Sequence, residues 1–345
     1  MTERDTFVTV ADGDQLNDGY FNGIIKINVS DIKKQLMEDA SDTKYKKEDV
    51  FSARTGTYYD GTSAGSSGGT NLLVDTTNDK IYGVKAYDLC NNSAIDAGLW
   101  TTNVTDAGSV AENTTALTVS TPIGTTGTAS AITNDLSNTK AADCRIIVLA
   151  RVTGAPYTAG VLQISDGTDH ITLLSRETGG GVEIYEIRYD KSADTVDFYT
   201  NGFEITADID VSSLSDLKIR AYINDGSAVG GGTVAFQGVF SSTIAGTPTW
   251  ISDDETETDV GNFTRAGIYV KTETLNNGTS VYKLSADGTN YDEVTLDSYR
   301  YGIVDITTTG KHKRVKIELT TSSTITDDLA ELSDYYTIWD DEIKY

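Results

Sequence analysis

Short apolar runs and polar turns succeed one another along this chain, and the dominant spacing of the apolar positions is two. Residues 182–189 set Val182, Ile184 and Ile187 among charged neighbours, and 195–199 and 314–320 alternate in the same manner. Such spacing predicts strands with one face buried, because successive side chains of a strand point to opposite sides. Residues 145–152 are almost continuously apolar and predict a strand in the interior. Further strands are predicted at 217–223, 234–239, 265–271 and 302–306. Turn dipeptides punctuate the runs. Asp166-Gly167 separates 161–165 from 170–174, Asn201-Gly202 closes 195–199, and Asp287-Gly288 separates 280–285 from 291–296. Each predicts a hairpin, Asn201-Gly202 with type I′ geometry. Residues 71–75 and 80–85 predict another hairpin across the polar stretch 76–79.

Helical spacing is confined to two places. Ser30 can cap a helix whose stripe is Ile32, Leu36, Met37 and Ala40, with Asp31 well placed for the dipole. Thr326 can cap a short helical turn over 327–332. The fold class is therefore all-β and mostly antiparallel: a β-sandwich or jelly roll, a smaller C-terminal β-domain, and a short N-terminal strand-and-helix segment that includes a strand at 7–10. A chain of 345 residues suits two or three domains. The expected division is an attachment and oligomerisation segment at 1–50, a hairpin with a Gly/Ser-rich loop at 51–85, a sandwich at 86–245, and a C-terminal β-domain at 246–345. The loop is the low-complexity run 61–70, and the last boundary is the acidic stretch 252–259.

Composition narrows the chemistry. Glycine is abundant at 32 and proline scarce at 3, as in many short strands joined by tight turns. The net charge is −25, which makes nucleic acid and anionic membranes poor partners. The 52 acids are spread along the chain and read first as a solubility device. Cys90 and Cys144 are expected to be buried free thiols rather than a disulfide framework. The opening Met1-Thr2-Glu3-Arg4-Asp5 has no apolar leader, and no run of 18 apolar residues is present. Synthesis in a cytoplasm without secretion is the expectation.

No reaction centre is legible. His170 and His312 sit in no nucleophile context, and no Cys/His cluster offers a zinc site. Glu183 and Glu186 have opposite parity on one strand, so they do not form a hydrolytic pair by themselves. No cofactor is expected. Calcium is the one metal candidate, through Asp166, Asp169, Asp208 and Asp210 in or near turns, although no EF-hand spacing is present. The glycine triplets at 179–181 and 230–232 lack a phosphate-binding lysine and read as loop tips. Most of the 19 tyrosines would half-pack on sheet faces, and any that are exposed could stack on sugars.

Two resemblances extend this picture. The order strand, Asp-Gly turn, strand, strand, then 194–202 ending in Asn201-Gly202 resembles the concanavalin-like (laminin-G-like) jelly roll. That family includes glycan binders, glycoside hydrolases and inert spacers, and no ligand motif of it is matched residue by residue. The stretch 12–22 resembles the opening phrase of tail-fibre and appendage proteins of tailed viruses, through Gly13, Leu16, Asn17, Phe21 and Asn22. The last third, with its strand, Asp-Gly-Thr-Asn, strand order, resembles small β-domains of phage tail and fibre proteins. The resemblance implies a non-enzymatic virion structural protein, assembled in the host cytoplasm and attached to the virion through those five residues. Its partners would be other virion proteins, further copies of itself, with a trimer favoured by analogy, and a host-surface glycan. A carbohydrate-binding adhesin is the alternative and a glycoside hydrolase the second alternative.

Overall fold

Period-two sequence becomes antiparallel sheet throughout the described part of the chain. The computed structural model describes residues 46–49, 58–59, 72–75 and 80–340, apart from 123, 137–139, 155–161, 175–180, 226–230 and 259. The predicted helix at 30–40 and the strand at 7–10 lie outside the described residues, as do Gly13, Leu16, Asn17, Phe21 and Asn22.

The chain leads in with β1 (Lys46–Asp49), β2 (Tyr58–Tyr59), β3 (Leu72–Asp75) and β4 (Lys80–Asp88). Next come β5 (Trp100–Asp106), β6 (Ser109–Glu112), β7 (Leu117–Thr121), β8 (Gly127–Thr133), β9 (Cys144–Gly154) and β10 (Leu162–Ser165). They are followed by β11 (His170–Leu174), β12 (Glu183–Asp190), β13 (Thr195–Thr200), β14 (Phe203–Asp210), β15 (Lys218–Asp225) and β16 (Gly232–Ser241). The last part contributes β17 (Thr249–Ile251), β18 (Glu255–Thr256), β19 (Phe263–Val270), β20 (Glu273–Thr274) and β21 (Thr279–Ser285). It ends with β22 (Asp292–Val294), β23 (Tyr301–Gly310), β24 (His312–Thr320), β25 (Glu331–Ser333) and β26 (Tyr335–Asp340).

A β-sandwich forms between a five-stranded sheet, in the order β11-β10-β15-β8-β5, and the β14-β13-β12-β9-β16 span of a twelve-stranded sheet that β7 and β6 extend. Val148, Ile187 and Phe198 from one sheet meet Leu162, Ile219 and Ala221 from the other in a closed core. Cys90 and Cys144 are buried within it and do not form a disulfide with each other. The hairpins predicted from Asp166-Gly167 and Asn201-Gly202 are present as β10–β11 and β13–β14. Asn201 and Gly202 take φ of 51° and 81°, the left-handed pair a type I′ turn requires.

Strand β12 differs from its reading in one respect. Tyr185, Ile187 and Tyr189 face the sandwich core, whereas Ile184 points to the other side with Glu186 and Arg188. Both faces of the large sheet are covered here. Ile147, Leu149 and Ile184 pack outward in a second apolar layer with Leu73, Phe240 and Leu329.

The C-terminal unit packs the sheet β1-β26-β19-β23 against the sheet β17-β24-β21-β22 around Trp250, Ile268, Leu284, Ile317 and Trp339. β24 alternates as predicted, burying Lys313, Val315, Ile317 and Leu319. The buried Lys313 ammonium donates to Glu257 at 2.7 Å, which keeps that charge paired.

β4 belongs to both units. Its first half pairs with β3 and β25, and Ile81 enters the C-terminal core; its second half pairs with β16 of the sandwich. Gly83 is required where the chain crosses it, since a Cβ there would lie 2.8 Å from the Leu319 carbonyl oxygen.

The helical turn expected over 327–332 does not form. Residues 325–327 make a turn, 328–330 are irregular, and β25 then pairs with β4 and β20. Leu332 is fully buried in the C-terminal core, and that burial overrides local helical spacing.

The outward side of the five-stranded sheet is rich in hydroxyls and amides. Register places Thr101, Asn103 and Thr105 of β5 beside Thr128, Ser130 and Ile132 of β8. Beyond them lie Lys218, Arg220, Tyr222 and Asn224 of β15, Gln163 and Ser165 of β10, and His170 and Thr172 of β11.

Candidate functional site

Five strands and three loops converge on a cleft of about 420 Å³ between the sandwich and the C-terminal unit. This is within the size range of small-ligand sites, and such sites favour junctions between units. Leu73, Tyr82, Ile184 and Leu329 supply apolar surface, and polar groups come from both units. β4 brings Lys80, β12 brings Glu186 and Arg188, the β13–β14 turn brings Asn201, and the C-terminal unit brings Thr274, Asn276, Asp328 and Glu331.

One side of the cleft is built on a charge network. Arg145 of β9 and Arg188 of β12 are direct cross-strand neighbours. Glu186, two positions along β12, accepts from Arg145 Nη1 at 3.1 Å and from Arg188 Nε at 2.8 Å. The three side chains are nearly inaccessible, at 2%, 7% and 8% exposure for Arg145, Glu186 and Arg188. Arg188 Nη2 also reaches Asp328 at 3.0 Å, and its guanidinium lies 4.2 Å above the Tyr199 ring. Burial pulls the Arg145 pKa down against the pull of Glu186. For Arg188 burial also opposes the charge, but its hydrogen bonds to Glu186 and Asp328 hold its pKa above the ordinary value.

Arg145 does more than balance Glu186. Its Nη2 donates to the carbonyls of Thr324 at 2.9 Å and Ile325 at 3.1 Å, and to that of Asp327. The loop that carries Asp328 and Leu329 into the cleft is thus pinned to the outer face of the sandwich by one guanidinium. On the opposite side Lys80 Nζ meets both oxygens of Glu331, at 2.7 and 2.9 Å. Asn201 Oδ1 accepts from the Ile184 amide at 2.9 Å, and Asn276 Nδ2 donates to the Leu329 carbonyl at 3.1 Å. The polar side chains are held in place by the fold before any ligand arrives.

The four acids singled out for calcium fall in two separate places. Asp166 and Asp169 share the β10–β11 turn, while Asp208 and Asp210 end β14 on the other sheet. Asp166 accepts from the Thr168 and Asp169 amides at 2.8 and 2.9 Å and from the Ser215 hydroxyl at 3.0 Å. These bonds, with the amide of Asp169 foremost, hold its pKa well below the usual carboxylate range. Asp210 Oδ1 accepts from the Ser212 amide at 2.9 Å. Among the described residues no group of three or more His, Cys, Asp or Glu side chains is placed to hold a metal ion. His170 is exposed at the start of β11, and His312 Nδ1 is 2.8 Å from Asp254.

Strand parity excludes Glu186 from a hydrolytic pair with Glu183, and no local spacing marks Arg145, Arg188, Lys80 or Glu331 as site residues. The available signal was a pair of arginines placed among the apolar positions of strands read as buried, each of which needs a carboxylate nearby.

No family model and no curated protein matches the chain. Among solved structures it is similar to the metal-free carbohydrate recognition domain of Emp46p, at 12% identity over 45% of this chain and 95% of that one, with a TM-score of 0.32. It is similar to a GlcNAcα1-4Gal releasing endo-β-galactosidase from Clostridium perfringens, at 8% identity over 70% of this chain and 97% of that one, with a TM-score of 0.31. A sialidase matches at 8% identity and a TM-score of 0.34, with 47% of this chain covering only 19% of the longer protein. Each similarity is remote.

Proposed function

We propose that the protein is a non-enzymatic carbohydrate-binding protein whose ligand site is the cleft between the two units. One observation carries the reading: apolar surface and prefixed polar groups converge there, and each carboxylate that lines the cleft is engaged by a cation. Glu186 is bonded to two guanidiniums, Asp328 to one and Glu331 to an ammonium. A pyranose presents a patch of C–H groups and a rim of hydroxyls. Tyr82, Ile184 and Leu329 suit the patch, and carboxylate and amide oxygens suit the rim. A hydrolase needs a carboxylic acid with a proton to deliver and a second carboxylate opposite it. Acids whose oxygens are committed to cations are placed for recognition rather than for that chemistry.

Glycan-array binding by wild type and Thr274→Trp tests this. Thr274 is an exposed lining residue, so the indole fills the cleft without breaking the ion pairs. Binding by wild type and its loss in the variant are expected. An empty array, or equal binding by both, rules the cleft out as the site, and release of reducing ends from a bound glycan overturns the non-enzymatic assignment.

A second reading, a virion appendage subunit, is favoured by Gly13, Leu16, Asn17, Phe21 and Asn22 in the opening phrase. Labelled antibody against the chain would decorate intact particles on that reading, and particles that stay bare would end it.

A further inference from the structure

We propose that the outward face of the five-stranded sheet is a second binding surface, distinct from the cleft, for an anionic polysaccharide. The chain carries 52 acids and a net charge of −25, yet none of the outward positions on β5, β8, β10, β11 and β15 is Asp or Glu. The outward side of the other sheet, by contrast, carries Glu186, Asp197 and Glu204.

Lys218 and Arg220 stand two positions apart on β15, about 7 Å along the strand. Neither forms an ion pair among the described residues, whereas Lys80, Lys283 and Lys313 each meet a carboxylate. Arg220 is preset: it donates to Gln163 Oε1 at 2.6 Å and stacks on the Tyr222 ring at 4.2 Å. Order supplied by the fold need not be supplied at binding.

Charge complementarity points to an anion, and the neutral remainder of the face points to a sugar. Ring carboxylates accept from Lys218 and Arg220, hydroxyls exchange bonds with the exposed Asn103 and Asn224, and Tyr222 offers ring surface to C–H groups. A nucleic acid presents a phosphate about every 3.4 Å of strand and is met by many cations; two cations match a sparser charge. The net negative charge does not forbid this, since at physiological salt a charge is felt over only about 8 Å. The acids beside Lys218 are those of the β10–β11 turn, and Asp166 there is already engaged by the Thr168 and Asp169 amides and the Ser215 hydroxyl.

Affinity electrophoresis in gels containing polygalacturonate, with dextran as the neutral control and a single-stranded oligonucleotide as the anionic control, tests the proposal on the full chain. Retardation of wild type by polygalacturonate alone is expected. The Lys218→Gln/Arg220→Gln double variant should bind at least tenfold more weakly. Asn103→Asp changes an exposed position, so it places an acid on the face without disturbing the core, and it should weaken binding several-fold. Thr274→Trp should leave polygalacturonate binding unchanged, which separates this face from the cleft. Wild type that ignores polygalacturonate, binds dextran equally or prefers the oligonucleotide overturns the proposal. So do variants on the face that bind as wild type does, or a Thr274→Trp protein that loses polygalacturonate.

Discussion

Arg145 and Arg188 lie directly opposite each other on neighbouring strands, and the carboxylate of Glu186 bridges the two guanidiniums. Like charges face to face would drive β9 and β12 apart; one shared acid turns the repulsion into a clamp. The clamp then reaches across the unit boundary to the carbonyls of the 324–327 loop.

Arg145→Met should therefore be severe. It removes the donor to three carbonyls and leaves Glu186 with half its partners in a buried setting, a loss of about 3–5 kcal/mol. The Arg145→Met/Glu186→Gln double variant should recover part of that loss. Urea unfolding of the four members of the cycle measures the coupling, and additive losses would show that the pair does not act together.

Two glycines predict different penalties. Gly202 has φ of 81° and open space around it, so Gly202→Ala meets only backbone strain of about 1–2 kcal/mol. A Cβ on Gly310 would sit 2.1 Å from the Ala286 carbonyl oxygen, and backbone must move to admit it. Gly310→Ala should lower the thermal midpoint more than Gly202→Ala.

The pH dependence of stability has two limbs of opposite sign. The Asp166 carboxyl is held down by amide donors, so its contribution is present above the unfolded pKa of about 3.9 and fades as pH falls towards the folded value. Asp166→Ala should lose less stability than wild type on acidification from neutral pH. Glu112 is the reverse case. Burial first, then Asp88 and Asp96, raise its pKa against the bond from the Asn92 amide, and its Oε2 is buried without a partner. Its contribution is present below the unfolded pKa of about 4.3 and is lost as pH rises through the folded one. Glu112→Gln should gain on wild type as pH increases. Chemical denaturation across the pH range reads both slopes, and parallel curves for a variant and wild type would refute that assignment.

Both thiols should be silent in the folded protein. Burial pushes Cys144 up to about 12, and burial with Asp88 and Glu112 lifts Cys90 well above its ordinary value. Reaction with a disulfide reagent should proceed at the rate of global unfolding, and prompt labelling of the native state would contradict the packing described.

Much of the scaffold could be read from the chain because its signals are local. The alternation of 314–320 and the Asn201-Gly202 and Asp287-Gly288 turns need only a few neighbouring residues to act, and they appear as β24, β13–β14 and β21–β22. The cleft could not be read in this way. It joins Lys80 to Glu331 and Glu186 to Arg145 across large separations, and no local spacing encodes which distant acid answers which base. The helical turn over 327–332 failed for the same reason: its local pattern was helical, while a guanidinium from β9 and the buried Leu332 fixed it as a turn and a strand.

Because β4 is stitched into both halves, it acts as a splint across their boundary. Tension applied from one half to the other would load its hydrogen bonds side by side in shear, so they would share the force instead of unzipping one after another. A pull on either half is thereby passed along β4 to the other.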